Sequence, residues 1–321
     1  MRLVQSFMDM DSSWGGLVHE MMAYVAEECP GAVITVVDND WSYPMATDDL
    51  DAVFRAEPNV RDRSKVEGRK RINVASSIAL LSEFLQLLVP VAMSSSSLPS
   101  SRFLQLGLNR SGCGDVGRVV ATVLELSLSA HRGRPAYEIP EGFQSSMKVV
   151  ELAATFPYVS DPMRIVTKAI GCNNLADPPQ NYSLFPVIQQ TTGGLNESYS
   201  NKTSYRRLHF RGSFSCNSSL RSAINSFPVW PRDVALHWSD MSPLKLPETY
   251  RIRALQSSSV GGISQLALSS RTGAYLSNLA QRAAKSDKRT LYEFTRAGMS
   301  LDAPEELASV LAAMGDAYFA Q

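Results

Sequence analysis

The sequence predicts an α/β fold, and its first forty residues carry that prediction. Leu3 to Met8 and Val33 to Val37 are apolar runs that are too short for helices and are typical of strands. Between them, from Leu17 to about Glu28, apolar residues recur at the spacing of an amphipathic helix. Two strands joined by a helical crossover lie parallel in one sheet. We therefore expect a parallel sheet with helices at the start of the chain.

Composition limits the classes of protein to consider. The 321 residues are 44% hydrophobic, enough for two globular domains with their own cores. Lysine plus arginine equals aspartate plus glutamate at 31 each, so no overall field favours nucleic acid or anionic lipid. The four cysteines are scattered, which indicates buried thiols and no disulfide framework or zinc site. They are Cys29, Cys113, Cys172 and Cys216.

No stretch has the pattern of a membrane anchor. The first residues lack the pattern of a signal peptide because Asp9 and Asp11 interrupt them. The most apolar stretch, Ile78 to Met93, contains Glu83 and Pro90 and is shorter than the roughly 20 residues of a spanning helix. We expect no transmembrane segment.

We interpret residues 41–71 as a polar connection between the second strand and the next helix. Six cations between Arg61 and Arg71 could contact phosphate or acidic lipid, but a solvated loop before a helix is favoured. Asn73 is the predicted cap of a helix from Val74 to about Val89, which Pro90 would end.

The middle of the chain is expected to contain a buried helix followed by an α+β region. Val116 to His131 is apolar nearly all round, which predicts burial. The expected elements after it are a short helix at 147–156 and strands at 163–170, 208–212, 234–238 and 260–268.

The last fifty residues predict helices. Thr272 to Ala284 has helical periodicity, and Asp287 to Ala297 continues helically to Gly298 as a C-cap. The final helix opens with Pro304 and two acids. Its predicted apolar face consists of Leu307, Val310, Leu311, Met314 and Tyr318.

The loop Asp9 to Gly16 is the candidate functional site. It precedes a helix N-terminus, where an α/β protein binds phosphate. A GTPase interpretation would use Ser12, Ser13, Gly15 and Gly16, with Asp9 or Asp11 holding magnesium. A structural turn capped by Ser13 is favoured, because Trp14 is bulky and the two aspartates would repel phosphate.

Two other classes receive less support. A hydrolase would need a partnered nucleophile, but the sequence has four histidines and no Gly-x-Ser-x-Gly elbow. His209 and His237 lie in apolar strands, as expected of satisfied core residues. A nucleic-acid surface would rest on the cations and aromatics from Lys202 to Arg211. The zero net charge argues against it.

The C-terminal pattern resembles a known family. Lys288-Arg-Thr-Leu-Tyr-Glu-Phe-Thr-Arg-Ala-Gly-Met299 and a helix reaching Tyr318 are similar to the closing helices of tubulins. Glu27-Glu28-Cys29-Pro30 ends the first helix as tubulins do. Together with Phe7 to Asp11 and Leu208 to Gly212, the order of motifs resembles Misato, a divergent tubulin-like family.

This resemblance implies a tubulin-like two-domain fold. Residues 1–112 would be the C-terminal part of a nucleotide-domain-type α/β unit, 113–135 a central helix, and 136–321 a second domain with C-terminal helices. It also implies a non-enzymatic protein of mitochondrial distribution, inheritance and morphology, cytosolic and peripherally bound to the mitochondrial outer membrane. The implied partners are proteins, tubulin or its folding machinery among them, with no nucleic acid, cofactor or metal.

The sequence departs from tubulins in the residues that would bind and hydrolyse the nucleotide. Tubulins cradle phosphate with Gly-Gly-Gly-Thr-Gly-Ser-Gly, whereas this chain has Asp11-Ser-Ser-Trp-Gly-Gly16. Ser12, Ser13, Gly15 and Gly16 are therefore expected to be a vestigial nucleotide site. The Gly-x-x-Asn-x-Asp segment that promotes hydrolysis is also not found. The resemblance further implies that strands carrying a first phosphate loop precede residue 1 in a longer protein.

Overall fold

The structure is a computed structural model of the chain. It describes residues 3–40, 60–92, 113–128, 143, 146–155, 184–186, 203–211, 234–239, 244–245, 259–260, 262–286 and 288–320. The elements of its N-terminal part are β1 Leu3–Met8, α1 Trp14–Glu28, β2 Val33–Asp40, α2 Val60–Leu81, β3 Leu87–Ala92 and α3 Cys113–Leu128. Those that follow are β4 Glu151–Thr155, β5 Thr203–Arg211, β6 Val234–Ser239, β7 Leu244–Lys245, β8 Ser259–Val260, β9 Gly262–Ser269, α4 Ser270–Ala284, α5 Lys288–Arg296 and α6 Ala303–Asp316.

The predicted α/β class is confirmed by a parallel sheet in the order β1-β2-β3. Leu3 pairs with Val33 and Thr35 pairs with Leu87. The central strand β2 is buried on both faces from Val33 to Val37, as expected of a parallel strand covered on two sides. β1 lies at the edge, and its outward side chains Leu3 and Phe7 are exposed. The helix after β1 begins at Trp14, three residues before the predicted start.

The prediction for residues 60–89 is correct only for 74–81, which are helical as expected. The cationic stretch belongs to the 22-residue helix α2, which ends at Leu81, and Asn73 lies inside this helix instead of capping it. The chain then turns into strand β3, which contains Pro90. The apolar run misled the prediction because the end of a buried helix and a buried strand are indistinguishable by hydrophobicity alone.

Helix α3 is predominantly buried, as predicted. Val119, Val123 and Leu126 are fully buried, whereas Ala121 is exposed, so one side of the helix faces outward. The helix ends at Leu128 instead of His131. The rest of the predicted central helix, 129–135, lies outside the described residues.

The second sheet has the order β4-β9-β5-β6 and is mixed. β9 runs antiparallel to both β4 and β5, whereas β5 and β6 are parallel. The strands predicted at 208–212, 234–238 and 260–268 are confirmed. The helix predicted at 147–156 is wrong, because residues 151–155 form β4. The strand predicted at 163–170 lies outside the described residues.

In the described part of the chain, an isolated parallel bridge between Leu88 of β3 and Val149 links the two sheets. The Leu88 N–H donates to the Lys148 carbonyl, and the Val150 N–H donates to the Leu88 carbonyl. Pro90, two residues further along β3, lies on the same side of the strand as Leu88 and has no N–H to donate. The bridge therefore does not continue as a ladder.

The C-terminal helices confirm the sequence prediction in most details. Gly298 follows α5 with φ of +103°, the left-handed conformation that a C-cap glycine adopts. Pro304 lies in the first turn of α6 with two acids beside it. Val310 is an exception, because it is exposed and does not belong to the buried face.

Two glycines allow α4 and α6 to approach closely. A Cβ placed on Gly273 would lie 2.9 Å from the Gly315 carbonyl oxygen and 3.0 Å from the Phe319 ring. Backbone meets backbone at this crossing, so a larger side chain could not be accommodated by rotation alone.

Tyr318 attaches the C-terminus to the junction between the sheets. Its hydroxyl donates to the Val149 carbonyl at 2.6 Å and accepts from the Val149 N–H at 3.0 Å. Burial raises the pKa of Tyr318 far above its ordinary value, so the hydroxyl stays protonated. One side chain therefore satisfies both backbone groups of Val149, where a neighbouring strand would otherwise be needed.

Replacing Tyr318 with phenylalanine is expected to lower the free energy of unfolding by about 1–3 kcal/mol, because it leaves a buried N–H and C=O without partners. Urea denaturation followed by circular dichroism measures the loss. Tyr292→Phe is the comparison, because it makes the same change at a tyrosine that is 65% exposed on α5. Equal stability of Tyr318→Phe and the unchanged chain would show that the two hydrogen bonds contribute nothing.

Two further expectations concern membranes and thiols. Among the described residues, no helix combines the length and apolarity needed to cross a membrane. Cys29 is half-buried, so the prediction of a buried thiol is wrong there. The side chains of the other three cysteines lie outside the described part of the chain.

Candidate functional site

The candidate site lies at the carboxyl end of β1, where the chain turns into α1. Parallel α/β sheets bind ligands at this edge, beside the first turn of the following helix. Five residues, Asp9 to Ser13, make the connection, and helix α2 packs alongside it. The loop is shorter than predicted because Trp14, Gly15 and Gly16 already belong to the helix.

Asp11 is the centre of the polar contacts. It is only 7% exposed, and its Oδ2 lies 2.7 Å from the Lys70 Nζ. The Asn73 Nδ2 donates to the Asp11 carbonyl oxygen at 3.0 Å. Lys70, Asn73 and Ser77 are spaced three and four residues apart, so α2 presents them on one face. This face of α2 fixes the loop from the side.

Asp9 is held within the loop itself. The Ser12 Oγ donates to the Asp9 carbonyl at 3.1 Å and accepts from the Trp14 N–H at 3.3 Å. Burial raises the pKa of the Asp9 carboxyl to about 7, and a hydrogen bond and repulsion from Asp11 add to the effect. At neutral pH the Asp9 carboxyl is therefore protonated for part of the time.

Asp9 should make stability depend on pH. Its pKa rises from 3.8 in the unfolded chain to about 7 in the folded one. The folded state thus binds the extra proton between these values, and its stabilisation is lost as the pH rises through 7. Asp9→Asn mimics the protonated form and should be more stable than the unchanged chain at pH 8, by about 1–2 kcal/mol after allowance for solvent screening.

Denaturation curves of both proteins at pH 4, 6 and 8 measure this effect. The difference between them should be smallest at pH 4, close to the unfolded-state pKa of 3.8, where Asp9 is protonated in the folded chain and partly protonated in the unfolded one. A constant difference across the series would contradict the assignment of the titration to Asp9.

The four residues of the predicted nucleotide site differ in their contacts and in their exposure to solvent. Ser12 bonds within the loop, and Ser13 precedes the helix without a side-chain capping bond, so its predicted capping role is wrong. Gly15 is buried, and a Cβ there would overlap the Ser77 Oγ. Gly16 is exposed with open space around its Cα. Ser13 and Gly16 are therefore the two exposed members of the set, whereas Ser12 is half-buried and Gly15 is buried.

The two glycines should respond oppositely to alanine. Gly16→Ala is expected to stabilise the protein by up to about 1 kcal/mol, because alanine favours the helix and meets nothing. Gly15→Ala should destabilise it by about 1–2 kcal/mol, since the Cβ would also lie 3.2 Å from the buried Ser77 Cβ. Thermal melts of the two variants provide the comparison. A stable Gly15→Ala protein would show that α1 and α2 can separate at this contact.

The electrostatics of the loop oppose an anion. The loop contains two carboxyl groups, and the ammonium of Lys70 beside them is paired with Asp11. Among the described residues, no group of three or more histidine, cysteine, aspartate or glutamate side chains could hold a metal ion. The arrangement is suited to fixing α1 against α2.

The other candidate residues belong to the core of the second sheet. His209 is buried, as predicted for a core histidine, and its Nδ1 lies 2.7 Å from the Leu126 carbonyl oxygen of α3. Arg207 is also buried and stacks over the Phe143 ring at 5.1 Å. Neither residue is available to a nucleic-acid surface. The side chain of His237 lies outside the described set.

Sequence reasoning missed Lys70 and Asn73 as parts of the site. Their spacing within α2 would have identified them only if residues 60–73 had been predicted as a helix. Neither a protein-family model nor a curated protein matches the chain. The assignment of function therefore depends on the loop geometry and on the pattern of residues in the sequence.

Proposed function

We propose that this chain is a non-enzymatic, tubulin-like protein that acts through its surfaces in mitochondrial distribution, inheritance and morphology. It works in the cytosol and peripherally at the mitochondrial outer membrane, without a nucleotide cofactor. Its partners are proteins, with tubulin and the tubulin-folding machinery as the first to test.

The loop between β1 and α1 is the observation that carries the non-enzymatic part of the proposal. Asp11 engages Lys70 and Asn73 at the position where a nucleotide-binding relative would leave backbone N–H groups open to phosphate. Gly15 is packed against α2 rather than facing solvent. A GTP molecule would have to displace an ion pair and approach two carboxyl groups.

The tubulin-like part has two supports. The first is the order of elements, which runs from a parallel sheet through a predominantly buried helix to a mixed sheet and C-terminal helices. The second is the residue pattern around Lys288 to Met299 and Tyr318. The mitochondrial role derives from the same resemblance.

Nucleotide binding is tested by equilibrium dialysis with labelled GTP and magnesium. We expect no binding at micromolar nucleotide. Gly16→Asp is the diagnostic variant, because it adds a carboxylate at the accessible first turn of α1 without a steric clash. Binding that this variant abolishes would overturn the proposal and favour the alternative, a GTP-binding GTPase of the tubulin type.

Cellular function is tested by imaging mitochondria after depletion of the protein. Depletion should disturb their shape and partitioning, and both the unchanged chain and Gly16→Asp should restore them. Normal mitochondria after full depletion would remove the proposed role. Failure of an abundant, folded Gly16→Asp protein to restore them would show that the loop contributes to function through a bound anion.

A further inference from the structure

Helix α1 has an apolar face that no described element covers. Its inner face packs against the sheet and α2 through Gly15, Val18 and Met22. Four large apolar side chains on the other side are between 49% and 64% exposed. These four residues, here called the α1 stripe, are Trp14, Leu17, Met21 and Tyr24.

The spacing of the α1 stripe is symmetric. Its members are three, four and three residues apart, so they follow one side of the helix. The centre of the pattern falls at position 19. When two such helices pack antiparallel about that point, Trp14 lies opposite Tyr24 of the second copy, and Leu17 lies opposite Met21.

We propose that the α1 stripe is a self-association surface on which α1 of a second copy packs antiparallel. This inference does not depend on the proposed function. The four side chains expose on the order of 500 Å² per copy, so they can contribute at most about 1,000 Å² to the pair, the lower limit of a specific interface. The dimer is therefore weak and reversible.

A second copy fits the α1 stripe better than a membrane. All formal charges on α1 are glutamates, at positions 20, 27 and 28, and anionic lipid headgroups would repel them. Interfacial helices that bind such membranes have lysine or arginine on the polar face.

Sedimentation velocity of the full chain, from about 1 to 200 µM, tests the proposal over the range of weak interfaces. The unchanged chain should show a monomer–dimer equilibrium. Leu17→Lys and Met21→Glu should each weaken it by about tenfold or more, because each buries a charge against an apolar side chain. Tyr292→Lys is the matched control, since Tyr292 on α5 is 65% exposed and Tyr24 is 64% exposed.

Mixing the two variants tests the orientation. Lysine at 17 of one chain then faces glutamate at 21 of the other, so the mixture should regain dimer that neither variant forms alone. Circular dichroism establishes that both variants are folded. A chain that stays monomeric at the highest concentration, association that both variants leave unchanged, or a mixture that does not recover would each overturn the proposal.

Discussion

Lys70→Met should destabilise the protein by about 3–5 kcal/mol, the usual cost of removing one partner from a buried ion pair. Asp11 is 7% exposed and has the Lys70 ammonium 2.7 Å from its Oδ2. Methionine keeps most of the apolar length of the lysine, so the loss comes from the charge and not from a cavity. The remaining carboxylate would then lie beside Asp9 without a compensating cation.

Lys70→Arg is the matched control, because it retains a cation that can reach the carboxylate. Chemical denaturation at pH 7 should rank the unchanged chain first, Lys70→Arg close behind and Lys70→Met last. The double variant Lys70→Met/Asp11→Leu should recover much of the loss, since the unpaired charge is removed as well. Equal stability of the two single variants would mean that the ion pair does not fix the loop.

Val120→Asp should unfold the protein or nearly so. Val120 is 4% exposed on α3, and an unpaired buried carboxylate costs several kcal/mol, comparable to the stability of a whole domain. Ala121→Asp gives the control at the next position, where the side chain faces outward. It should change the free energy of unfolding by less than about 1 kcal/mol.

Soluble yield and circular dichroism distinguish these two variants. Loss of structure in both would indicate that the outward side of α3 is covered as well. Retention of structure in both would indicate that the helix is not held in the core. In cells, the Val120→Asp protein should fail to restore mitochondria because it is degraded.

The sequence was sufficient to predict elements whose pattern is local. β1, β2 and β6 are short and mainly apolar runs, and α4 and α6 have regular periodicity and end signals. Residues 60–73 of helix α2 were not predicted as helical, because its first turns are densely charged and its loop-facing residues are polar. Pro90 was interpreted as a helix stop, although it occupies a strand position that needs no N–H.

The candidate site was predictable only in part. The loop was located by its position between a strand and a helix, but its contacts depend on α2, which is far from it in sequence. Lys70 meets Asp11 across 59 residues. No local sequence pattern indicates which lysine of a cationic stretch approaches the loop. The ion pair between Lys70 and Asp11 could therefore be identified only from the tertiary structure.

The junction at Val149 has a mechanical consequence. On one side of this residue the chain is bonded to Leu88, and on the other both of its backbone groups are bonded to the Tyr318 hydroxyl. A hinge rotation between the sheets would therefore have to break both sets of bonds together. Motion here should be rare on the timescale of amide exchange, and the backbone amides of Leu88, Val149 and Val150 should be among the slowest to exchange in deuterium. Tyr318, two residues beyond the end of α6, therefore fixes this junction. Loss of its two hydrogen bonds would increase the motion between the two sheets.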